Sequence, residues 1–367
     1  MAFPVFSVYV MKSVYFMIVV AVVCLGCQRK DSGMLSILID ASSDTQTYLS
    51  EIAEKVDEIE LEVTDKSLIR QIHCVDILNN HYFIRHHVES EVLMFDFDGR
   101  FVKQVGQMGR GPGEYTALFQ IAADRENQRL LLNTRQGLII FDDNGAFVQS
   151  VALNNVFSML THNKQLHCVS RTGAFGGSRE ITIFLTTHDT TDWNLMDSIF
   201  VTGYSGLLFF PVFLSQSKQS VYFYYPDHPS RMAGTSSGVD TLYRFENQKL
   251  TPYFTVQIND KERKRTVRNI MLTDNYGIIT HVTSVRDPYA RYPQSIPSQY
   301  YFDLRSMKGR NATNGFIDDF YGNNDVIITP IPNTNLFYYY RENNDYSPDL
   351  RTTPNPTLYI GTFKKTE

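Results

Sequence analysis

A near-repeat of eight residues sets the strongest limit on what this chain can fold into. Phe95-Asp-Phe-Asp-Gly-Arg-Phe-Val102 returns as Phe141-Asp-Asp-Asn-Gly-Ala-Phe-Val148, 46 residues later. Each copy has the pattern of a strand, a tight turn at glycine and a second strand. A period near 45 residues with short strands is typical of propeller blades and not of helical solenoids. The repeat therefore predicts an all-β propeller.

Strand patterns along the rest of the chain predict six blades, each with four antiparallel strands named A (innermost) to D (outermost). We place the blades at residues 69–105, 118–153, 156–201, 209–258, 267–304 and 325–363. Blade five has a poor D strand. Blade six takes Asp325–Ile331, Asn335–Tyr340 and Thr357–Phe363, and then the chain ends without a D strand. Because an unpaired strand edge is costly, we expect an N-terminal strand, Val56–Val63 or Ser36–Asp40, to close the ring.

The N-terminus carries an export signal. Residues Val14–Gly26 form an apolar run that follows Lys12. The run is too short for a transmembrane helix and fits a signal peptide. Either Met1 or Met11 could be the start. Leu25-Gly26-Cys27 resembles a bacterial lipobox, which predicts lipidation of Cys27; ordinary secretion is the alternative. We therefore divide the chain into a signal peptide (1–27), a tether with a short helix (28–55) and the propeller (56–367).

Composition narrows the class of partner. The net charge of −5 argues against nucleic acid, because duplex binding needs clustered cations. Beyond the signal segment only Cys74 and Cys168 remain, which do not make a disulfide framework and are expected to be small buried hydrophobes. We expect a monomer that touches a membrane only through its lipid anchor.

A glycine-rich segment between blades one and two, Gly106-Gln-Met-Gly-Arg-Gly-Pro-Gly-Glu-Tyr115, follows the first hairpin. Together with the stretches Thr64–Ile69 and Asn314–Asp319, it resembles the six-bladed β-propeller lipoproteins of Bacteroidales, which are related to NHL-repeat propellers. The resemblance covers nearly the whole mature chain. It implies a lipid-anchored protein of the bacterial cell envelope, periplasmic or surface-exposed, and transfers no catalytic residue.

The glycine-rich segment has two possible roles. Its closely spaced glycines could turn backbone N–H groups inward to make an anion-binding nest. The simpler interpretation is a shaped crossover in which Arg110 and Glu114 pair locally and Tyr115 packs. It is not a phosphate-binding P-loop, because no Lys-Ser or Lys-Thr follows it.

Propeller geometry predicts where a ligand would bind. Four long inserts fall between strands B and C, at Arg171–Glu180, Pro226–Asp240, Arg286–Ser298 and Arg341–Pro356. They should converge with the Gly109–Tyr115 crossover on one face, and long loops are often functional. Arg and Tyr are abundant there and are common recognition residues. The candidate ligand-binding residues are Arg110, Glu114, Tyr115, Arg171, Arg231, Arg286, Tyr289, Arg291 and Tyr292.

These patterns favour a binding or scaffold protein that presents its loop-rich face to a peptide, glycan or protein partner. The nine histidines show no dense metal-ligand spacing, and no nucleophile motif is present, so we assign no catalytic residue, metal site or cofactor. The alternative is a metal-dependent hydrolase or lyase with its site in the pore. Calcium bound by pore-facing aspartates stays open.

Overall fold

Short antiparallel strands and their turns make up nearly all of the fold. The computed structural model describes residues 34–41, 45–86, 91–153, 155–172, 181–204, 213–225, 239–260, 265–285, 294–343 and 354–365. Residues Ser36–Glu367 form one unit, and of the other unit, Met1–Leu35, only the last two residues are described.

The strands follow one another in chain order as antiparallel meanders. Before the first blade lie β1 (Leu35–Asp40), a 3-10 turn (Leu49–Glu51) and β2 (Ala53–Glu60). Blade one consists of β3 (Ile72–Leu78), β4 (His81–His86), β5 (Val92–Asp96) and β6 (Phe101–Gln104). The crossover to blade two contains β7 (Gln107–Met108) and β8 (Glu114–Tyr115). Blade two consists of β9 (Leu118–Asp124), β10 (Arg129–Thr134), β11 (Gly137–Asp142) and β12 (Phe147–Val151).

The remaining four blades repeat this plan, but β1 joins blade four as a fifth strand and a small hairpin precedes blade six. Blade three consists of β13 (Val156–His162), β14 (Gln165–Thr172), β15 (Ile181–Asp189) and β16 (Leu195–Tyr204). Blade four consists of β17 (Phe213–Ser217), β18 (Ser220–Tyr224), β19 (Val239–Glu246) and β20 (Lys249–Asn259). Blade five consists of β21 (Arg265–Leu272), β22 (Tyr276–Val285), β23 (Gln294–Asp303) and β24 (Gly309–Ala312). A small hairpin of β25 (Phe316–Ile317) and β26 (Asp325–Val326) precedes β27 (Thr329–Pro330), β28 (Leu336–Arg341) and β29 (Thr357–Phe363) of blade six.

The hydrophobic core is divided among the six interfaces between neighbouring blades, each with its own cluster of buried side chains. Both faces of a central strand are therefore buried. In β10, for example, Leu130 and Leu132 pack toward blade one, whereas Leu131 packs toward blade three. This explains why these strands read as continuous apolar runs and not as an alternation of apolar and polar residues.

An N-terminal strand closes the ring, as the sequence predicts. β2 pairs antiparallel with β29 and supplies the outermost strand of blade six. Val56 and Ile59 turn inward and are 6% and 5% exposed. Of the two candidate segments, the later one is correct, with its strand starting three residues earlier than expected, at Ala53.

The other candidate, Ser36–Asp40, forms most of β1 and lies beside β20 as a fifth strand on the outer edge of blade four. Its Ile37 and Ile39 belong to the core between blades four and five and are 4% and 0% exposed. This part of the segment assigned to a tether is thus integrated in the fold, because its two isoleucines cover that outer edge.

The expected inner strand of blade six, Asp325–Ile331, is wrong in its extent. Asp325 and Val326 pair with Phe316 and Ile317, and only Thr329–Pro330 pairs with β28. The chain is diverted because Asp318, which is fully buried, accepts backbone N–H bonds at Oδ1 from the turn between the two halves of that hairpin. The D strand of blade five, which is weak in the sequence, forms at Gly309–Ala312.

The repeated hairpin at Phe95–Val102 and Phe141–Val148 is an aspartate-capped turn. Asp96 Oδ1 accepts N–H bonds from residues 98 and 100, and Asp142 Oδ1 accepts the equivalent bonds from residues 144 and 146. Gly99 and Gly145 follow with φ of 81° and 70°, a conformation that favours glycine.

The same turn recurs in blades three and five, where the sequence shows no match. Asp189 and Asp303 end the C strands and cap their turns in the same way. Each loop is one residue longer, and Trp193 and Met307 occupy the positive-φ position with φ of 63° and 55°. The extra residue and the absence of glycine conceal these two copies in a sequence comparison.

Ring closure yields the first testable prediction. Ile59→Asp should lower the free energy of unfolding by about 3 kcal/mol or more, because it places an unpaired carboxylate between blades six and one. Asp57→Asn, at an exposed position of the same strand, should change it by less than about 0.5 kcal/mol. Urea unfolding of the two variants measures the difference. Equal effects would show that β2 does not carry the closure.

The capped turns yield a second prediction. Alanine at Gly99 or Gly145 forces φ > 0 on a residue with a side chain, at a cost of about 1–2 kcal/mol in each case. The new Cβ at Gly99 would also lie 2.2 Å from the backbone oxygen of Glu60, whereas at Gly145 it meets a movable methyl of Val105 at 2.9 Å. Gly99→Ala should therefore be the more destabilising of the two in thermal unfolding. A larger loss in Gly145→Ala would contradict this reading.

Candidate functional site

The meander topology gives the ring two different faces. The A–B and C–D turns lie at one end of every blade, which we call the turn face. The B–C connections and the D–A crossovers lie at the other end, which we call the loop face. The described strand ends that flank the long inserts lie at the loop face.

Most of the interior of those inserts lies outside the described residues. The described strands extend to the edges of the inserts, for instance with Val285 paired to Gln294 at the end of blade five. Five of the candidate ligand-binding residues and the candidate lipidation site fall beyond them; they are Arg231, Arg286, Tyr289, Arg291, Tyr292 and Cys27.

The glycine-rich crossover does form a nest of backbone amides, and a side chain of the same segment fills it. Glu114 Oε2 accepts N–H bonds from Arg110 at 2.8 Å and Gly111 at 2.7 Å. Its Oε1 accepts a bond from the Gln107 amide at 2.6 Å. These bonds, led by the one from Gly111, hold the pKa of Glu114 below its usual value. The amides that could bind a free anion are therefore occupied.

Tyr115 packs where the crossover enters blade two. Its side chain is fully buried in the core between blades one and two, and burial raises its pKa. Nearby, the buried Arg85 donates from Nη2 to the backbone oxygen of Leu118 at 2.9 Å. The crossover thus fixes blade two against blade one at the loop face.

Arg171 stands at the loop-face end of β14. Its guanidinium lies over the ring of Phe157 with Cζ 4.4 Å from the ring centroid, and burial lowers its pKa. Phe157 in turn lines the central channel of the propeller. Arg171 is therefore placed close to the channel, on the face where the sequence predicts it.

The central channel is a hollow on the ring axis. It has a volume of about 510 Å³ and is lined by inner strands of all six blades. The walls are mainly apolar and include Phe119, Phe157, Met159, Leu214, Met271 and Ile327. The apolar part of this surface suits an apolar side chain or ring.

A turn of blade six crosses the channel at the turn face. Asn333 follows β27 and donates its amide N–H to the backbone oxygen of Thr161 at 2.5 Å. Thr161 belongs to blade three, on the opposite side of the ring. The crossing narrows the turn-face end of the channel and leaves the loop-face end as the wider approach.

The polar groups of the channel wall differ in whether they already have hydrogen-bond partners. Asp76 is satisfied, because it accepts bonds from the backbone of residues 77 and 123 and from Arg125 Nη2 at 2.5 Å. In contrast, the Oδ1 atoms of Asn269 and Asn333 are buried without a hydrogen-bond partner. These two acceptors could receive bonds from a ligand that enters the channel.

The second hollow is a cleft of about 780 Å³ between blades six and one. His73, Ile327, Thr329 and Tyr338 line both the cleft and the channel, so the two hollows adjoin. The cleft is more polar and is otherwise bounded by Ile72, residues 324–326, the end of β28 from Tyr339 to Arg341, and Glu342.

An aromatic and ionic cluster gives the cleft a rigid floor. Asp318 accepts hydrogen bonds from the hydroxyl of Tyr339 at 2.6 Å and from Nη2 of Arg341. The rings of Tyr339 and Tyr359 stack with centroids 4.7 Å apart, and Arg341 Cζ lies 5.0 Å from the centroid of Tyr359. Because its guanidinium contacts Asp318 and Tyr359, the charge of Arg341 is largely balanced by groups of the protein itself.

Among the described residues, the thiols and the buried imidazole of His167 are poor candidates for catalysis. Burial raises the pKa of Cys74 to about 11 and also raises that of Cys168, which disfavours the thiolate. Burial lowers the pKa of His167 to about 4. Within the same part of the chain, no group of three His, Cys, Asp or Glu side chains is arranged to hold a metal ion.

Sequence reasoning missed the residues that shape the cleft, namely Asp318, Tyr339, Arg341 and His73. Their signal was present as the run Tyr338-Tyr-Tyr-Arg-Glu342, of which the first three residues read as the end of the second strand of blade six and the last two as the start of the insert Arg341–Pro356. What the run could not reveal is the short inner strand beside it, which leaves the end of β28 open to the cleft.

Two solved bacterial structures have a similar fold. A Bacteroides fragilis NCTC 9343 protein named as an exported protein has a TM-score of 0.64 and 14% identity, over 90% of this chain and 99% of that chain. A DUF4221 family member from Bacteroides vulgatus ATCC 8482 has a TM-score of 0.56 and 10% identity, over 86% of this chain and 98% of that chain. At these identities the similarity shows the fold alone.

No curated protein sequence matches the chain. In the part of the chain that the structure describes, no helix is long and apolar enough to cross a membrane. A family model described as Domain of unknown function (DUF4934) matches residues 36–359, from within β1 into β29. The chain therefore belongs to the DUF4934 family.

Proposed function

We propose that the protein is an exported binding module that takes an extended peptide at its loop face. The observation that carries the proposal is that the apolar channel and the polar cleft adjoin and share four lining residues. A peptide offers both kinds of surface, because an apolar side chain can fill the channel while its backbone lies in the cleft. The channel crossing at Asn333 favours approach from the loop face.

A peptide fits these hollows better than the other ligand classes that the sequence leaves open. A glycan would bury hydroxyl groups against Phe119, Met159 and Ile327, which cannot hydrogen-bond to them. A flat protein partner would leave the channel unfilled. The metal-dependent hydrolase or lyase receives no support from the described residues, which hold no metal-ligand group.

Export and anchoring complete the proposal. The signal segment Val14–Gly26 and the exported Bacteroides neighbour support a place in the bacterial cell envelope. The motif Leu25-Gly26-Cys27 supports lipidation at Cys27, and the repeated hairpin supports a relation to NHL-repeat propellers. The inferred protein is thus held at a membrane by lipid, with its propeller free to meet peptides.

The peptide-binding proposal is tested with the purified propeller and a random dodecapeptide library. Peptides enriched by selection should bind Phe119→Asp at least ~10-fold more weakly, because a carboxylate would enter the apolar channel. Phe119 is 42% exposed, so the substitution should leave the fold intact. Fluorescence anisotropy gives the dissociation constants.

Val148→Asp is the matched control for Phe119→Asp. It lies on the outer strand of the same blade, is 49% exposed and does not line the channel. Its affinity should stay within ~2-fold of the parent, since it touches neither hollow. If no peptide is enriched, or if both variants bind as the parent does, the proposed function is wrong.

The anchor is tested in cells. Cys27→Ser should abolish incorporation of a labelled fatty acid and shift the protein from the detergent phase to the aqueous phase, since two or more acyl chains are needed for stable anchoring. Cys24→Ser, which alters the neighbouring cysteine of the same segment, should keep both properties. Retained labelling in Cys27→Ser would contradict lipidation at this residue.

A further inference from the structure

Blade six has an incomplete inner strand. β27 has two residues, whereas the inner strands of the other blades have between five and eight. It pairs with β28 only at Thr329–Tyr338 and Pro330–Phe337. The end of β28, from Tyr339 to Arg341, therefore has β29 on one side and the cleft on the other.

The chain that could have continued this strand is held elsewhere. Asp325 and Val326 are paired in the small hairpin with β25. The backbone N–H and oxygen of Ile328 are both bonded to the side-chain amide of Gln299 in blade five, at 3.0 Å and 2.8 Å. The gap beside β28 is thus built into the fold by bonds to other elements.

The register of β28 shows which backbone groups face the gap. Phe363 donates its N–H to the oxygen of Asn335, so every second residue from Asn335 on is bonded to β29. Leu336 accepts from the N–H of Ile331 on the inner side. By this alternation Tyr340 turns both its N–H and its oxygen into the cleft, without a backbone partner among the described residues.

The cleft also has a charge preference. Asp325 and Glu342 border it, are exposed, and make no ion pair with any residue that the structure describes. The guanidinium of Arg341 is already bonded to Asp318. The free charge at the cleft is therefore negative, which complements a cationic ligand.

We propose that an extended peptide carrying a Lys or Arg side chain adds to the inner edge of β28 and completes the truncated strand of blade six. Main-chain bonds to Tyr340 would hold the peptide antiparallel to β28, and alternate side chains would face the channel or the acidic border of the cleft. This inference rests on the proposed function and names its mode of binding.

The experiment uses the peptides selected above against the whole propeller. Tyr340→Pro removes the backbone N–H that faces the cleft and leaves the bonds to β29 in place, since proline is tolerated at a strand edge. Tyr340→Ala is the matched control, because it loses the same side chain and keeps the N–H. We expect Tyr340→Pro to bind at least ~10-fold more weakly than Tyr340→Ala.

A second measurement does not depend on how Tyr340→Pro folds. Single N-methylation along the selected peptide, assayed on the parent protein, should weaken binding at the position whose N–H bonds to the oxygen of Tyr340 and not at its two neighbours, because only every second N–H points to β28. The double substitution Asp325→Asn with Glu342→Gln should also weaken binding. Asp98→Asn with Glu126→Gln, two exposed carboxylates in turn-face loops, should not.

The outcomes separate the two proposals. If peptides bind and Phe119→Asp weakens them, but Tyr340→Pro matches Tyr340→Ala and N-methylation shows no alternation, strand addition is wrong and the binding function stands. If no peptide binds, both are wrong. Alternating sensitivity together with loss in the Asp325 and Glu342 double variant supports the inference.

Discussion

The pairing of β2 with β29 is the contact on which the rest of the structure depends. Each blade buries both of its faces against neighbours, so no blade is stable until the ring is complete. The β2–β29 ladder joins the two ends of the propeller sequence, and its Val56 and Ile59 complete the cores on either side of blade six. The channel exists only because this ladder holds the ring shut.

Polar side chains make the ring rigid where the apolar clusters alone would allow sliding. Gln120 exchanges two hydrogen bonds with the backbone of Met159, and Gln299 does the same with Ile328, so each amide links neighbouring blades. Asn355 links blade six to the chain entering blade one through the backbone of Leu61 and Ser67, among others. Directional bonds of this kind fix one register between blades, which non-directional burial cannot do.

The sequence predicts the blades well because their signals are local. Strand alternation, the hairpin at Gly99 and Gly145, and the missing last strand can all be read within short windows. The cleft depends on a competition between distant groups: Asp318 draws Tyr339 and Arg341 to itself, and the chain before Thr329 pairs elsewhere. No window of sequence contains that competition, so the inner strand of blade six was overextended and the site was missed.

The position of the cleft at the seam of the ring has an energetic consequence. Although its inner strand is short, blade six keeps a continuous ladder of β28, β29 and β2. A ligand in the cleft would touch Tyr340 of the last blade and Ile72 of the first, across the interface between the two ends of the propeller. Binding would therefore stabilise closure itself, by about 2.7 kcal/mol at a ligand concentration of 100 times Kd. An incomplete blade at the seam thus couples ligand binding to the integrity of the whole propeller.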